Sequence, residues 1–232
     1  MSTWSPARPL RGFDWCFTMY LRRLMRRSFA ALWVRGADLP RERGYVAVAN
    51  HHSWWDGFIP YLLHRQGSAS EQPFRIMMSD AELQRFPYFR FGGAFSVDPS
   101  TTRRAYASIS YAAAQAQQGA AVWIFPDGTL RPPSATPAFT SGFVHAARLA
   151  GVPIVPVAMR LLFLDRQRPE VFVERGQPID AHARDARECA QQAVTAMLES
   201  MDDDLARDGR ASFALAFAGH AGVDDRLALS RR

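Results

Sequence analysis

The chain has 232 residues, 48% of them hydrophobic, with a formal net charge of +6 and a pI near 10.0; it is long enough for one large domain, and its composition excludes a disordered chain. All 28 basic residues are arginine, which excludes Schiff-base chemistry and a phosphate loop built on lysine, and the two cysteines, Cys16 and Cys189, stand far apart outside any pair motif, against a disulfide framework or a zinc site. The basic balance suggests an anionic partner: nucleic acid, an anionic membrane or an acidic substrate.

Residues 13–34 read as one amphipathic helix. Arg22, Arg23, Arg26 and Arg27 fall on one arc and Phe17, Leu21, Leu24, Met25 and Leu32 on the opposite one. Such a helix suits a membrane interface, or packs on the domain with a solvated arginine face. No apolar run reaches the roughly 18 to 20 residues that a spanning helix needs. The N-terminus also lacks a signal peptide's order, because its longest aromatic stretch precedes the arginines. The expectation is a peripheral or monotopic protein on the cytoplasmic face of a membrane, with residues 1–43 as a membrane-association segment.

Residues 44–49, "GYVAVA", form a short buried strand that delivers "NHHSWWDGF" to one edge of a sheet. A helix follows through "DGFIPYLLHRQ". Strands are expected at residues 74–78 and in "GGAFSVD", then a helix over 101–118 stopped by Gly119, and a strand at 121–125 that breaks at "PDGT". A short helix over 141–150, strands at 152–159 and 171–174, and a helix over 181–207 complete the pattern. The prolines in "VPIVPVAM" favour an edge or bulged strand, and the tail after Gly209 carries no clear signal. Strands alternating with helices predict an α/β fold with a mixed, largely parallel sheet flanked by helices. Residues 44–209 form that domain and 210–232 a tail.

His51 and Asp56 have four residues between them, so across a strand-to-helix turn the carboxylate reaches the imidazole's second nitrogen. That bond fixes the tautomer and strengthens His51 as a general base. No G-x-S-x-G is present to supply a serine nucleophile, so the nucleophile arrives with a substrate. His52 reads as a neighbour shaping the turn, and Trp54 and Trp55 as packing or lining an acyl groove.

"NHHSWWD" resembles the N-H-x-x-x-x-D motif of the glycerolipid acyltransferase family typified by 1-acylglycerol-3-phosphate acyltransferases. "GGAFSVD", "FPDGT" and "VPIVPVAM" resemble that family's later blocks in the same order. The resemblance covers roughly residues 44–159. It implies transfer of a fatty acyl group from an acyl-CoA or acyl carrier protein thioester to a lipid hydroxyl, without metal or redox cofactor, His51 and Asp56 being catalytic. Backbone N–H groups at the start of the following helix are expected to meet the oxyanion. Asp127, Gly128 and Thr129 occupy the third block and are expected to bind substrate.

Three family positions that are usually basic are uncharged here: Pro99, Leu130 and Thr140. Arg103, Arg104 and Arg131 lie nearby and are the candidates to hold an acceptor phosphate. A lysophospholipid acceptor and a glycolipid, hydroxylated or aminoacyl lipid acceptor both remain open. The rival class is a non-catalytic lipid- or nucleic-acid-binding protein on the same scaffold. No nucleic-acid partner is expected, since the arginines are scattered rather than gathered with aromatics into a module.

Overall fold

The structure, a computed structural model, describes residues 5–66, 71–220 and 222; residues 1–4 of the N-terminal segment and 221 and 223–232 of the tail lie outside the described residues. In chain order the elements are α1 (Arg11–Ser28), β1 (Ala31–Gly36), β2 (Tyr45–Ala49), α2 (Phe58–Gln66), β3 (Phe74–Ser79), α3 (Asp80–Arg85), β4 (Ala94–Val97), α4 (Thr102–Gln117), β5 (Ala121–Ile124), α5 (Gly142–Ala150), β6 (Ile154–Leu162), β7 (Glu170–Arg175), α6 (Ala186–Asp208) and β8 (Ala214–Ala218). The described strands form one eight-stranded sheet in the order β4-β3-β5-β2-β6-β7-β1-β8. Only the β6–β7 and β1–β8 pairs are antiparallel. The expected mixed, largely parallel sheet flanked by helices is therefore present.

β2 lies at the centre because its residues serve two cores. Val46 and Val48 face the cluster under α4, α5 and α6, while Tyr45, Ala47 and Ala49 face the cluster under α1 and α2. A strand buried on both faces reads as a continuous apolar run. β4, at one end of the sheet, is covered by the segment before α1: Ser96 N–H donates to Ser5 O at 2.9 Å, and Leu10 N–H to Phe91 O at 3.1 Å. Gly93 opens β4 with φ +104°, and a Cβ there would sit 2.3 Å from Phe74 O, so only glycine lets β4 begin this close to β3.

Four expectations are corrected. The helix read over 13–34 ends at Ser28, and residues 31–36 form β1, hydrogen-bonded between β7 and β8. Leu32 is buried in the strand as it would have been in a helix, which is why the apolar periodicity ran on past the true end. β1 thus joins the core sheet from the N-terminal side of the boundary expected at residue 44. The tail set apart from the domain at residues 210–232, where the sequence carries no clear signal, supplies β8 on the far edge. The final helix begins at Ala186 rather than 181, because residues 180–183 form a turn closed by Ala183 N–H to Asp180 O.

The fourth correction concerns β6, which is internal, between β2 and β7, despite Pro156. β7 pairs with β6 only from Val157 onward. Beyond Arg175 the chain departs, touching β6 again through Gly176 N–H to Pro156 O and the Ile154–Ile179 bridge. The missing proline N–H faces the gap between these contacts, so the strand is an edge locally at that one residue.

α1 packs with its apolar arc inward. Leu21 and Met25 are buried, Phe17 and Leu24 lie against the same cluster, and burying each large apolar side chain contributes about 2 kcal/mol. Asp14 ties the helix to α2 by accepting from Tyr61 Oη and pairing with Arg65 at 2.9 Å. The outward face carries Trp15, Met19 and Tyr20 in its first half and Arg23, Arg26 and Arg27 in its second, all exposed. The arc expected to enter lipid is therefore the one that holds the helix to the domain.

Candidate active site

The sheet's parallel half ends its strands on one edge, where α/β folds gather their sites. Leaving β2, Asn50 stays with the sheet through its side chain: Oδ1 accepts from Met159 N–H at 2.9 Å and Nδ2 donates to Met159 O at 3.0 Å. The chain then turns into a single 3-10 turn, Trp54–Gly57, capped by Ser53. Ser53 Oγ accepts from Trp55 N–H and the Asp56 carboxylate accepts from Ser53 N–H, a reciprocal capping box.

The same Asp56 oxygen, Oδ2, accepts from His51 Nδ1 at 2.9 Å, His52 N–H at 2.7 Å and Ser53 N–H at 2.8 Å. Asp56 is fully buried, while the His51 side chain is 25% exposed. With Nδ1–H given to the carboxylate, Nε2 of His51 is left as a basic nitrogen. The ring is held from one side by Phe125, stacked at 4.7 Å, and its backbone carbonyl accepts from Arg131 N–H at 2.8 Å. Orientation, tautomer and backbone are thus fixed by three different segments.

Four backbone donors of this turn are engaged within it. His52 and Ser53 N–H go to Asp56 Oδ2, Trp55 N–H to Ser53 Oγ and Asp56 N–H to Ser53 O. The turn uses its donors to build the dyad.

His51 opens on a shallow cleft, open to solvent, whose walls include Asn50, His52, Asp127, Arg131, Arg160 and the proline-rich stretch from Pro132 to Pro137. His52 Nδ1 lies 3.2 Å from Asn50 Nδ2, and its side chain is almost wholly buried. Burial pushes this imidazole below the ordinary histidine range, with Arg160 and His51 acting in the same direction and Asp56 against it. Burial thus favours its neutral form.

The remaining predicted residues divide. In the "PDG" turn Gly128 N–H donates to Phe125 O at 3.1 Å, with Gly128 at φ +69°. Asp127 lines the cleft, but its Oδ1 accepts from Ala138 N–H at 2.7 Å and so pins the proline-rich stretch. Gly128 and Thr129 are exposed and lie off the cleft wall. Arg131 lines it, 38% exposed, with Asp127 Oδ1 3.8 Å away. Arg104 is bound to Asp98 Oδ2 at 2.8 Å, and Arg103 is exposed in the first turn of α4; neither lines the cleft. Trp55 packs edge-on against Phe29 at 4.9 Å, whereas Trp54 is 61% exposed.

Sequence reasoning assigned no role to Asn50, Phe125 or Arg160. Asn50 stood in the quoted motif, and Phe125 closed a predicted strand next to a predicted turn. Arg160 gave no local signal: it lines the cleft while gripping Asp202 with two nitrogens at 3.0 and 2.7 Å, and donates to Pro133 O at 2.8 Å.

Comparisons with known proteins bear on the fold and the family. A 1-acyl-sn-glycerol-3-phosphate acyltransferase of Haemophilus influenzae is 24% identical over 179 residues, 70% of this chain and 71% of that protein. The crystal structure of the 1-acyl-sn-glycerophosphate (LPA) acyltransferase PlsC from Thermotoga maritima superposes with a TM-score of 0.57 at 21% identity, covering 83% of this chain and 79% of the other, and so shares the fold. The family model described as acyltransferase matches residues 32–160, more than half of the chain, from β1 to within β6 and across every strand whose end carries a site residue, and on that match the chain belongs to the acyltransferase family.

Proposed function

We propose that the protein moves a fatty acyl group from an acyl-CoA or acyl carrier protein thioester to a lipid hydroxyl, with His51 as general base and Asp56 as its brace. The observation that carries this reading is Asp56 Oδ2, 2.9 Å from His51 Nδ1 and fully buried, which turns Nε2 toward incoming substrate. The acceptor hydroxyl gives its proton to Nε2 as its oxygen attacks the thioester carbonyl. The tetrahedral intermediate collapses with cleavage of the C–S bond, and the imidazolium returns the proton to the leaving sulfur. The products are an ester and a free thiol. His51→Ala is expected to lower thiol release by about 10²- to 10⁴-fold with the fold intact; near-normal release from acyl-CoA with lysolipid acceptors would remove the dyad from the mechanism.

Arg131 is the predicted cation best placed for an anionic acceptor group, because it alone of the three lines the cleft with His51. A non-phosphate acceptor, such as a glycolipid, hydroxylated or aminoacyl lipid, is the second reading. Leu130, exposed where the family is usually basic, and Arg104, already bound to Asp98, both favour it. Thiol release with lysophosphatidic acid set against neutral lysolipids separates the two.

Membrane association belongs to the same reading, with the cytoplasmic face as the expected side. It rests on the outward face of α1, where exposed Trp15, Met19 and Tyr20 adjoin exposed Arg23, Arg26 and Arg27. No helix of the described residues is long and apolar enough to cross a membrane. Because β1 is part of the sheet, the test is a substitution rather than a truncation: Trp15→Asp with Met19→Asp lowers sedimentation with anionic vesicles, and unchanged sedimentation removes α1 as the contact.

A further inference from the structure

The proline-rich wall of the cleft is fixed at its two ends, where Arg131 N–H donates to His51 O and Ala138 N–H to Asp127 Oδ1. Of the six residues between, "PPSATP", three are prolines with no N–H to give, and Ala135 N–H turns back on Pro132 O at 2.9 Å. Pro132, Pro133, Ser134 and Thr136 are exposed. Among the described residues, the one hydrogen bond from residues 132–137 to the rest of the molecule is accepted by Pro133 O from Arg160 Nη1, at 2.8 Å.

Arg160 is itself held from several directions. Its backbone lies in the β6–β7 ladder opposite the buried Phe172, and its neighbour Met159 is clasped at both N–H and O by the Asn50 carboxamide. Nε and Nη2 meet the two oxygens of Asp202 at 3.0 and 2.7 Å, a paired contact that fixes the plane of the guanidinium. Asp202 stands one turn after Leu198 on α6, and Leu198 lines the cleft as well. One side chain, 12% exposed, thus joins β6, α6 and the wall beside His51.

The two arginines of the cleft therefore differ. Arg131 is 38% exposed and stands 3.8 Å from Asp127 Oδ1. Arg160 gives Nε and Nη2 to a carboxylate and Nη1 to a carbonyl, so its guanidinium is committed to the protein's own frame. A segment with proline at three of six positions has few soft torsions and moves as a stiff piece. One support in its middle sets the position of the whole stretch.

We propose that Arg160 is a positioning residue for acyl transfer: it braces the proline-rich wall at a fixed distance from His51, and the braced wall limits the bulk of the acceptor headgroup that presents a hydroxyl to Nε2. This rests on the acyl transfer reading above, and on Arg131, from which the wall runs, as the cation on the acceptor side. Without the brace the wall swings about its two ends, and headgroups of different bulk reach His51 alike.

The test is Arg160→Ala in the full chain, which leaves the fold intact because Asp202 is 49% exposed and stays in water. Amide hydrogen exchange is expected to rise at Ala135 and Ala138, whose N–H groups close the bonds of the wall, and to hold along β6. Thiol release from acyl-CoA is then measured with two phosphate-bearing acceptors of different bulk, lysophosphatidic acid and lysophosphatidylglycerol. KM for the preferred one rises about tenfold and the ratio of their kcat/KM values falls by about the same factor, while KM for acyl-CoA holds. Arg160→Lys behaves like the alanine variant, because an ammonium keeps the charge without the planar fork. Free guanidinium, below the concentration that unfolds the chain, restores the ratio in Arg160→Ala. Unchanged exchange at Ala135 and Ala138 overturns the proposal, since the wall then needs no brace. So does a ratio that Arg160→Lys preserves, which makes Arg160 a charge only, or a rise in KM for acyl-CoA with the ratio intact, which puts the wall on the donor side. If the unaltered chain releases no thiol with either acceptor, the headgroup limit falls with the acyl transfer reading, while exchange still decides the brace separately.

Discussion

The two halves of the sheet were assembled by different means. From β4 to β6 the strands are parallel and joined through helices, and the ends of β2 and β5 lead straight into the segments that meet at the cleft. From β7 to β8 the sheet is built from the two ends of the chain: β1 from residues 31–36, β7 from 170–175 and β8 from 214–218. That half is riveted by ion pairs. Arg35 binds Glu174 at 2.7 Å and Asp204 at 2.6 Å, and the fully buried Glu170 accepts from Arg210 Nε at 3.0 Å and from Trp33 Nε1 at 2.9 Å. One half carries chemistry on strand ends and the other supplies a frame, so substitutions should separate activity from stability according to where they fall.

The largest separation is expected at Asp56→Asn. The amide still accepts from His51 Nδ1, but the negative charge that steadies an imidazolium is gone, so turnover falls by about 10²- to 10⁴-fold. A chain that melts normally and keeps its turnover would deny the carboxylate its part. In the framing half, Arg210→Ala strips the buried Glu170 of its principal partner and costs about 3 kcal/mol in a denaturant titration, because an unpaired buried charge is left behind. Turnover per folded molecule is expected to hold. A parallel loss of turnover would mean that the two halves are not separable.

Acid sharpens the comparison in the parallel half. His64 is buried, its Nε2 against Gln72 O at 2.6 Å, and burial pushes its pKa down to about 4. The unfolded imidazole, near 6.5, binds its proton first, so stability is full above about pH 6.5 and declines as pH falls toward 4. At pH 5 the loss is about 2 kcal/mol. His64→Gln is expected to flatten this part of the pH–stability curve; the same slope in the variant would trace the acid sensitivity to another group. The smallest effect is expected from Arg131→Gln, which raises KM for an anionic acceptor by about tenfold while sparing neutral acceptors and kcat. Equal KM values for both classes would take Arg131 out of acceptor binding.

The parallel half was legible because its signals are local. A β-branched run followed by a motif is contained in the thirteen residues from Gly44 to Asp56, and the spacing of His51 and Asp56 is closed by one turn that Ser53 caps. The framing half was not. β8, "ALAFA", buries only Phe217, and its pairing partner lies some 180 residues earlier in the chain. β1 hid behind a helix whose apolar rhythm Leu32 happens to continue. Within the site, the cleft wall failed to show for the same reason: Arg160 meets His51 and Asp127 only through the β2–β6 pairing, and nothing in its own neighbourhood marks it.

The carboxamide of Asn50 mimics one more peptide unit against Met159, both donor and acceptor matched. The main chain is thereby released from the ladder one position before the ladder itself stops. That offset lets the next residue swing its imidazole out of the sheet plane while its base stays anchored to the middle of the molecule, so the reactive group gains reach without gaining slack.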